Sequence, residues 1–465
     1  MGHVRWQNAL TRATRGLVPF ALGMTLACSD APAVNHTHDR QPVDEGDGDD
    51  EGDGDQGDGD VSAPDDDGPS PSLDAGNEDG DGPADATIPA DAAIPGPKTL
   101  QGCEGESLYE VPADTTVTGP WPVGVKTVKL PLSQAPNQLT VEIWYPAQRG
   151  SEGNKPRKQY DMREFLKASQ RAKVPDADAT SDVLLCRCSE GLPLDDAHGP
   201  YPVVFYIHGT AAMRIASLSQ MTHWASRGFV VVAADHPGMY LADMLYAAPL
   251  VNPQCWQDSR DPQDVPRDID LMLKALKEVQ GELAFLSGHI DLERVGMTGH
   301  SQGAGIAADM GVKPGVRISI PLAGRKPVVK GPDLASVLYF GGEIDSLVTA
   351  DAQRQGYQDS PSPKRQVLVA NAEHLFVTDL CGGKNKDGLD AMQVAEKYGV
   401  CGIGAAGLLW KCSPDYIPQA KGTEITNYTT TAALEETLHC WDRKDAFKKL
   451  EGRYSEVSEF NEDLE

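Results

Sequence analysis

The sequence predicts an α/β protein, a mostly parallel sheet flanked by helices over residues 98–465, preceded by a disordered acidic linker. Three observations carry this prediction. Short apolar runs such as 202–207 (PVVFYI) and 229–234 (FVVVAA) are continuous rather than alternating, as strands covered on both faces must be. Helical segments separate them, which implies crossover connections and parallel neighbours. Composition also changes near residue 98, from an Asp/Gly-rich stretch to one with globular apolar content.

At the N-terminus, Arg5, Arg12 and Arg15 precede an apolar run over 17–27 and no acid interrupts them. This is the layout of an export signal, and the run is too short to span a bilayer as a helix. Residues 1–27 are therefore expected to direct export. Residues 28–97 follow, with 21 acids against one base, Arg40, and almost no large apolar side chain. Such a segment buries too little surface to offset chain entropy, and its like charges extend it. Much of the chain's net charge of −28 lies here, so the linker, not the folded domain, dominates the acidic balance. That balance argues against a nucleic-acid partner. The run Asp53–Asp60 offers no register with the glycine and terminal glutamate of an EF-hand loop, so no structural metal is expected.

Within 98–465, residues 125–132 and 139–145 read as an opening hairpin, and a polar, cysteine-bearing insertion runs to about 199. Buried strands are expected at 202–207 and 229–234, with helices over 217–227 and 268–279. Further strands are expected at 295–298, 317–320, 337–340 and 366–369.

One motif stands in that frame. Gly299-His300-Ser301-Gln302-Gly303 is a G-x-S-x-G pentapeptide, preceded by a strand and followed by small residues that open a helix. In an α/β-hydrolase fold this layout places a serine on a strained strand-to-helix turn that lifts its oxygen clear of the sheet. A serine hydroxyl needs a histidine to take its proton and an acid to hold that histidine, and in this fold the order is Ser, acid, His. Asp345 follows the strand at 337–340, with Glu343 as its rival. His374 follows the strand at 366–369. The expected catalytic residues are Ser301, Asp345 and His374. His208-Gly209-Thr210 forms a tight turn after a strand. Backbone N–H groups of Thr210 and Gln302 are the expected oxyanion donors, each worth about 3 kcal/mol. His208 and His236 are expected to be structural, His300 to have no proton-transfer role, and His223 and His439 to lie on helix surfaces.

The chain holds nine cysteines. With Cys28 set aside, eight remain (Cys103, Cys186, Cys188, Cys255, Cys381, Cys401, Cys412, Cys440), an even set that implies up to four disulfides in an exported protein. The close pair Cys186 and Cys188 lacks metal-ligand spacing.

The stretches VEIWYPA (141–147), the HGT turn, AADHPG (233–238), GHSQG and GEIDS resemble bacterial platelet-activating-factor acetylhydrolase-like and dienelactone-hydrolase-like α/β hydrolases, roughly over residues 120–380. The resemblance implies a serine carboxylic-ester hydrolase that needs no cofactor and acts on short-chain or lipid-like esters through an acyl-enzyme. It also supports Ser301, Asp345 and His374, with Thr210 and Gln302 at the oxyanion. Dienelactone hydrolases carry cysteine where this chain has Ser301. Loop spacing around Asp345 and His374 resembles cutinase-type polyester hydrolases, although Pro321–Arg325 lacks their aromatic wall. Thr25-Leu26-Ala27 before Cys28 resembles a lipobox. This implies an acylated Cys28 as the membrane anchor, in the outer membrane if the host is Gram-negative; plain signal cleavage and secretion is the alternative. A serine peptidase or thioesterase, and a surface-binding protein that lost catalysis, remain rival readings. The insertions 151–199 and 240–267 are expected to cap the pocket, with Trp256 as a candidate lining residue.

Overall fold

The computed structural model describes residues 98–99, 107–108, 111–134, 136–179, 184–246 and 263–465. The expected export signal, Cys28, the acidic linker, Cys103, Cys255 and Trp256 lie outside the described residues. Strands β1 (Lys98–Thr99) and β2 (Ser107–Leu108) form a small antiparallel pair. The main sheet has ten strands: β3 (Val123–Pro131), β4 (Gln138–Pro146), β5 (Ser189–Glu190), β6 (Tyr201–Ile207), β7 (Val230–Ala234), β8 (Ile290–His300), β9 (Val316–Leu322), β10 (Ser336–Gly342), β11 (Lys364–Val369) and β12 (Val457–Asp463).

Their spatial order is β12-β11-β10-β9-β8-β6-β7-β4-β3-β5. From β7 through β6, β8, β9 and β10 to β11 every neighbouring pair is parallel. The hairpin β3–β4 joins antiparallel to β7, and β12 closes the other edge antiparallel to β11. This mostly parallel mixed sheet with covering helices is the α/β-hydrolase architecture that the sequence predicts.

The continuous apolar runs are explained by the two faces they serve. In β6, Val204 and Tyr206 join one core with the helices Leu218–Ser226 and Gln419–Leu438. Val203, Phe205 and Ile207 point to the opposite core, packed by Val265–Glu278 and Gln302–Met310. Every residue of β6 and β7 is buried, so neither strand has a polar face to reveal.

The C-terminal part departs from the sequence reading. The long helix Gln419–Leu438 and strand β12 belong to the same domain, although neither stood out in the sequence. That helix has scarcely any amphipathic contrast, because threonines face its buried side: Thr426 and Thr430 donate their hydroxyls to Gly422 O and Thr426 O of their own helix. The surface reading of His223 and His439 is overturned. Both are buried, His223 bonded through Nε2 to Thr115 O at 2.8 Å, and His439 lying between the rings of Phe229 and Trp441. The helices that carry them pack flat on the sheet, and burial pushes both imidazoles well below their ordinary range.

Cys186 pairs with Cys188, and Cys381 with Cys412. Cys401 and Cys440 are also disulfide-bonded. No helix among the described residues is long and apolar enough to cross a membrane.

Candidate active site

β8 ends at His300 and the next helix is Gln302–Met310, with the single residue Ser301 between them. Ser301 turns the chain between them with φ 57° and ψ −116°, a backbone conformation that costs a non-glycine residue about 1–3 kcal/mol. Its N–H is anchored to Leu322 O at 3.0 Å. The glycine at 303 is required by close approach: a Cβ there would lie 2.2 Å from Ile207 O and 2.5 Å from His208 O. The helix therefore begins pressed against the end of β6, and Ser301 is left partly accessible at the sheet's carboxyl edge.

Strain gathers around this edge. Ala211 after β6, Ala323 after β9 and Asn371 after β11 also have positive φ, at 56°, 49° and 53°. Each marks a sharp turn where a strand hands its chain to a loop. Such clusters of outliers are a feature of functional sites.

The loops after β10 and β11 meet in the expected acid–base pair. His374 Nδ1 lies 2.8 Å from Asp345 Oδ2, and both side chains are buried. Asp345 Oδ1 accepts the N–H groups of Leu347 (2.9 Å) and Val348 (2.8 Å), which leaves Oδ2 for the imidazole. The rival acid Glu343 is exposed and spends its backbone N–H on Val369 O. Geometry thus separates the two carboxylates that the sequence left in competition.

His300 ties this pair to the serine turn. Its Nε2 donates to His374 O at 2.9 Å, and its ring packs 4.6 Å from the His374 ring, centroid to centroid. Burial drives its pKa down to about 3, so it stays neutral and acts as a brace. On the far side Gly209 lies against the same turn, where a Cβ would meet His300 Nδ1 at 3.0 Å and the Ser301 Cβ at 3.1 Å. Thr210 Oγ1 donates to Gln302 Oε1 at 2.5 Å, so the two residues expected to supply oxyanion donors are tied to each other. His208 Nε2 accepts the N–H of His236 at 3.1 Å, and its Nδ1 bonds Gly209 O at 2.8 Å. His236 is held in turn by Asp268 at 2.9 Å. Both histidines are loop braces.

Several supporting residues were not assigned from the sequence. Gln353 donates to Val348 O at 2.7 Å and reaches Asp345 Oδ2 at 3.5 Å. Glu373 accepts the backbone N–H of His374 and the hydroxyl of Ser346, and Lys411 donates to Ser346 Oγ at 2.7 Å. The largest such group lies under the turn that carries Thr210. Arg214 spans two carboxylates, Glu142 buried and Asp235 half-buried: its Nε donates to Glu142 Oε2 at 2.9 Å and its Nη1 to Asp235, which also accepts the Arg214 N–H at 2.8 Å. Lys158 (2.7 Å) and Tyr160 (3.0 Å) reach Glu142 from the 151–199 insertion. Glu142 and Asp235 sit inside VEIWYPA and AADHPG; a charged residue within an otherwise apolar strand run was the signal available. Among the described residues no group of three or more His, Cys, Asp or Glu side chains is placed to hold a metal ion.

Comparison with known proteins bears on part of this frame. Residues 108–242 match the family described as platelet-activating factor acetylhydrolase, isoform II. The matched segment includes β3 to β7 and the His208–Thr210 turn and stops short of Ser301, Asp345 and His374. Nothing among curated proteins matches the chain. Among solved structures, a ferulic acid esterase from Streptomyces cinnamoneus aligns with a TM-score of 0.43 and 20% identity, over 69% of this chain and 92% of that one.

Proposed function

We propose that the chain is a serine carboxylic-ester hydrolase acting through a covalent acyl-enzyme. One observation carries the reading: the Asp345–His374 pair at 2.8 Å, tied through His300 to the strained turn that presents Ser301. Ser301 Oγ attacks the ester carbonyl carbon while His374 Nε2 takes its proton. Asp345 holds the Nδ1 proton and stabilises the imidazolium that forms. The N–H groups of Thr210 and Gln302 receive the developing oxyanion. His374 then gives its proton to the departing alcohol. Water, deprotonated by the same imidazole, attacks the acyl carbon and releases the acid and Ser301. No step calls on a cofactor. The family match over 108–242 supports an ester substrate before an amide.

The N-terminal pattern extends this proposal to an exported enzyme, acylated at Cys28 and held off the membrane by the acidic linker. The test of the chemistry is hydrolysis of nitrophenyl esters at pH 8 by the protein and by Ser301→Ala. Turnover by the first that vanishes in the second is the expected result. Equal, near-zero rates from folded protein would overturn the reading in favour of the peptidase or binding alternatives.

A further inference from the structure

A cavity of about 90 Å³, measured as room for the centre of a water molecule, is lined by Met213, three residues after Thr210, and by Asp379, five residues after His374. A single buried water needs only about 10–15 Å³ on that measure, so the space takes a chain of several carbons. Its walls are aliphatic and come from four parts of the chain. Leu166 and Leu184 belong to the 151–199 insertion, Met213 follows the Thr210 turn, Leu245 follows β7, and Met392 and Trp410 come from the C-terminal segment. We propose that this cavity is the acyl pocket of the enzyme, built for a straight aliphatic acyl chain several carbons longer than acetyl; the proposal rests on the serine-esterase reading above.

Placement supports it. Trp410, at the cavity wall, donates its indole N–H to Ala211 O at 3.2 Å, and Ala211 is the residue after Thr210. Asp379 and Leu380, also in the lining, follow His374 by five and six residues. The wall therefore shares chain segments with the two loops that carry Thr210 and His374. The Cys381–Cys412 disulfide fixes the segment that brings Trp410 there.

The charged groups in the lining are already engaged. Arg163 bonds Asp176 at 2.6 Å and chelates Asp161; Asp178 pairs with Lys397 at 2.8 Å and Lys386 at 3.1 Å; Asp379 accepts the Ser219 N–H at 2.7 Å. What remains to greet an occupant is hydrocarbon and the one unpartnered amide nitrogen of Asn385, a lining that selects an uncharged, mainly aliphatic group. The acyl side is favoured over the alcohol side by the order of events. The alcohol departs after the first step, whereas the acyl group stays bonded to Ser301 until water arrives and gains most from enclosure.

Each methylene buried from water changes binding by about four-fold. On nitrophenyl esters from acetate to decanoate, kcat/KM of the full protein should rise by about four-fold per methylene across the first several carbons. Acetates of lengthening alcohols should show no comparable rise. Ala391 and Ala395 line the cavity one helical turn apart. Ala391→Phe should abolish the rise with acyl length, and Ala395→Leu, a smaller intrusion, should shorten the preferred chain. A urea unfolding midpoint close to that of the wild type certifies the fold of each variant. A flat acyl profile with Ser301-dependent acetate turnover would overturn the pocket alone. So would a rise that follows the alcohol, or one that both alanine variants leave unchanged. Absence of turnover on every ester would overturn the esterase reading and the pocket with it.

Discussion

Arg214→Met tests how the Thr210 turn is held. The guanidinium bridges Glu142, which is fully buried, and Asp235, which also receives the Arg214 backbone N–H. The variant keeps most of the aliphatic volume and removes the charge. Glu142 retains Lys158 and Tyr160, but Asp235 keeps only its backbone donor from residue 214. Breaking a buried ion pair from one side costs about 3–5 kcal/mol, and the Asp235 side chain, 12% exposed, places the loss at the low end of that range. Against a total stability of about 5–15 kcal/mol this is a large fraction. Urea unfolding should show the midpoint fall with an unchanged slope. Adding Glu142→Gln and Asp235→Asn to Arg214→Met should restore at least half of the loss, since no orphaned charge then remains. Thr210 is four residues away on the same turn, so kcat should fall more than KM rises. A loss below about 1 kcal/mol, or substitutions whose penalties simply add, would refute the account.

Other outcomes follow from the same geometry. Asp345→Asn should lower kcat by about 10⁴-fold with unfolding unchanged, while Glu343→Gln, at an exposed position, should leave activity intact. Gly303→Ala places a Cβ 2.2 Å from Ile207 O, a backbone atom that cannot step aside. A displacement of about 1 Å at the Ser301 turn should cost about 10²-fold in kcat/KM, with a stability loss of about 1–3 kcal/mol. The pH dependence has a definite sign. Burial alone would raise the Glu142 carboxyl, but Arg214 and Lys158 outweigh it and hold it below its ordinary 4.5. Its stabilisation is therefore present above about pH 4.5 and lost as pH falls through the lowered value. The stability gap between the wild type and Arg214→Met, followed by unfolding at a series of pH values, should narrow below about pH 4.5. A gap that stays constant to pH 3 would remove Glu142 from the explanation.

The sheet was legible because its central strands are buried on both faces, which forces continuous apolar runs at 202–207 and 229–234. The serine turn was legible because only glycine fits at 303, and the motif that records this is local. Edges were less readable. β5 has two residues and β12 carries Glu459, Glu462 and Asp463, so neither shows a run of apolar side chains. The long helix Gln419–Leu438 hid because its buried face is lined with threonines, of which Thr426 and Thr430 satisfy their hydroxyls within the helix.

What the sequence determined by itself is the chemistry that neighbours in the chain can specify: strand, turn, serine, helix, and an acid and a histidine after successive strands. The tertiary structure decided what depends on distant segments meeting. It chose Asp345 over Glu343 by turning one carboxylate towards His374 and the other to water. It buried His223 and His439 against helices and rings that no local pattern announces. It also brought Lys158, Glu142, Arg214 and Asp235 together from four segments. A buried charge is tolerated only beside its partner, and the sequence records the charges without recording which of them will meet.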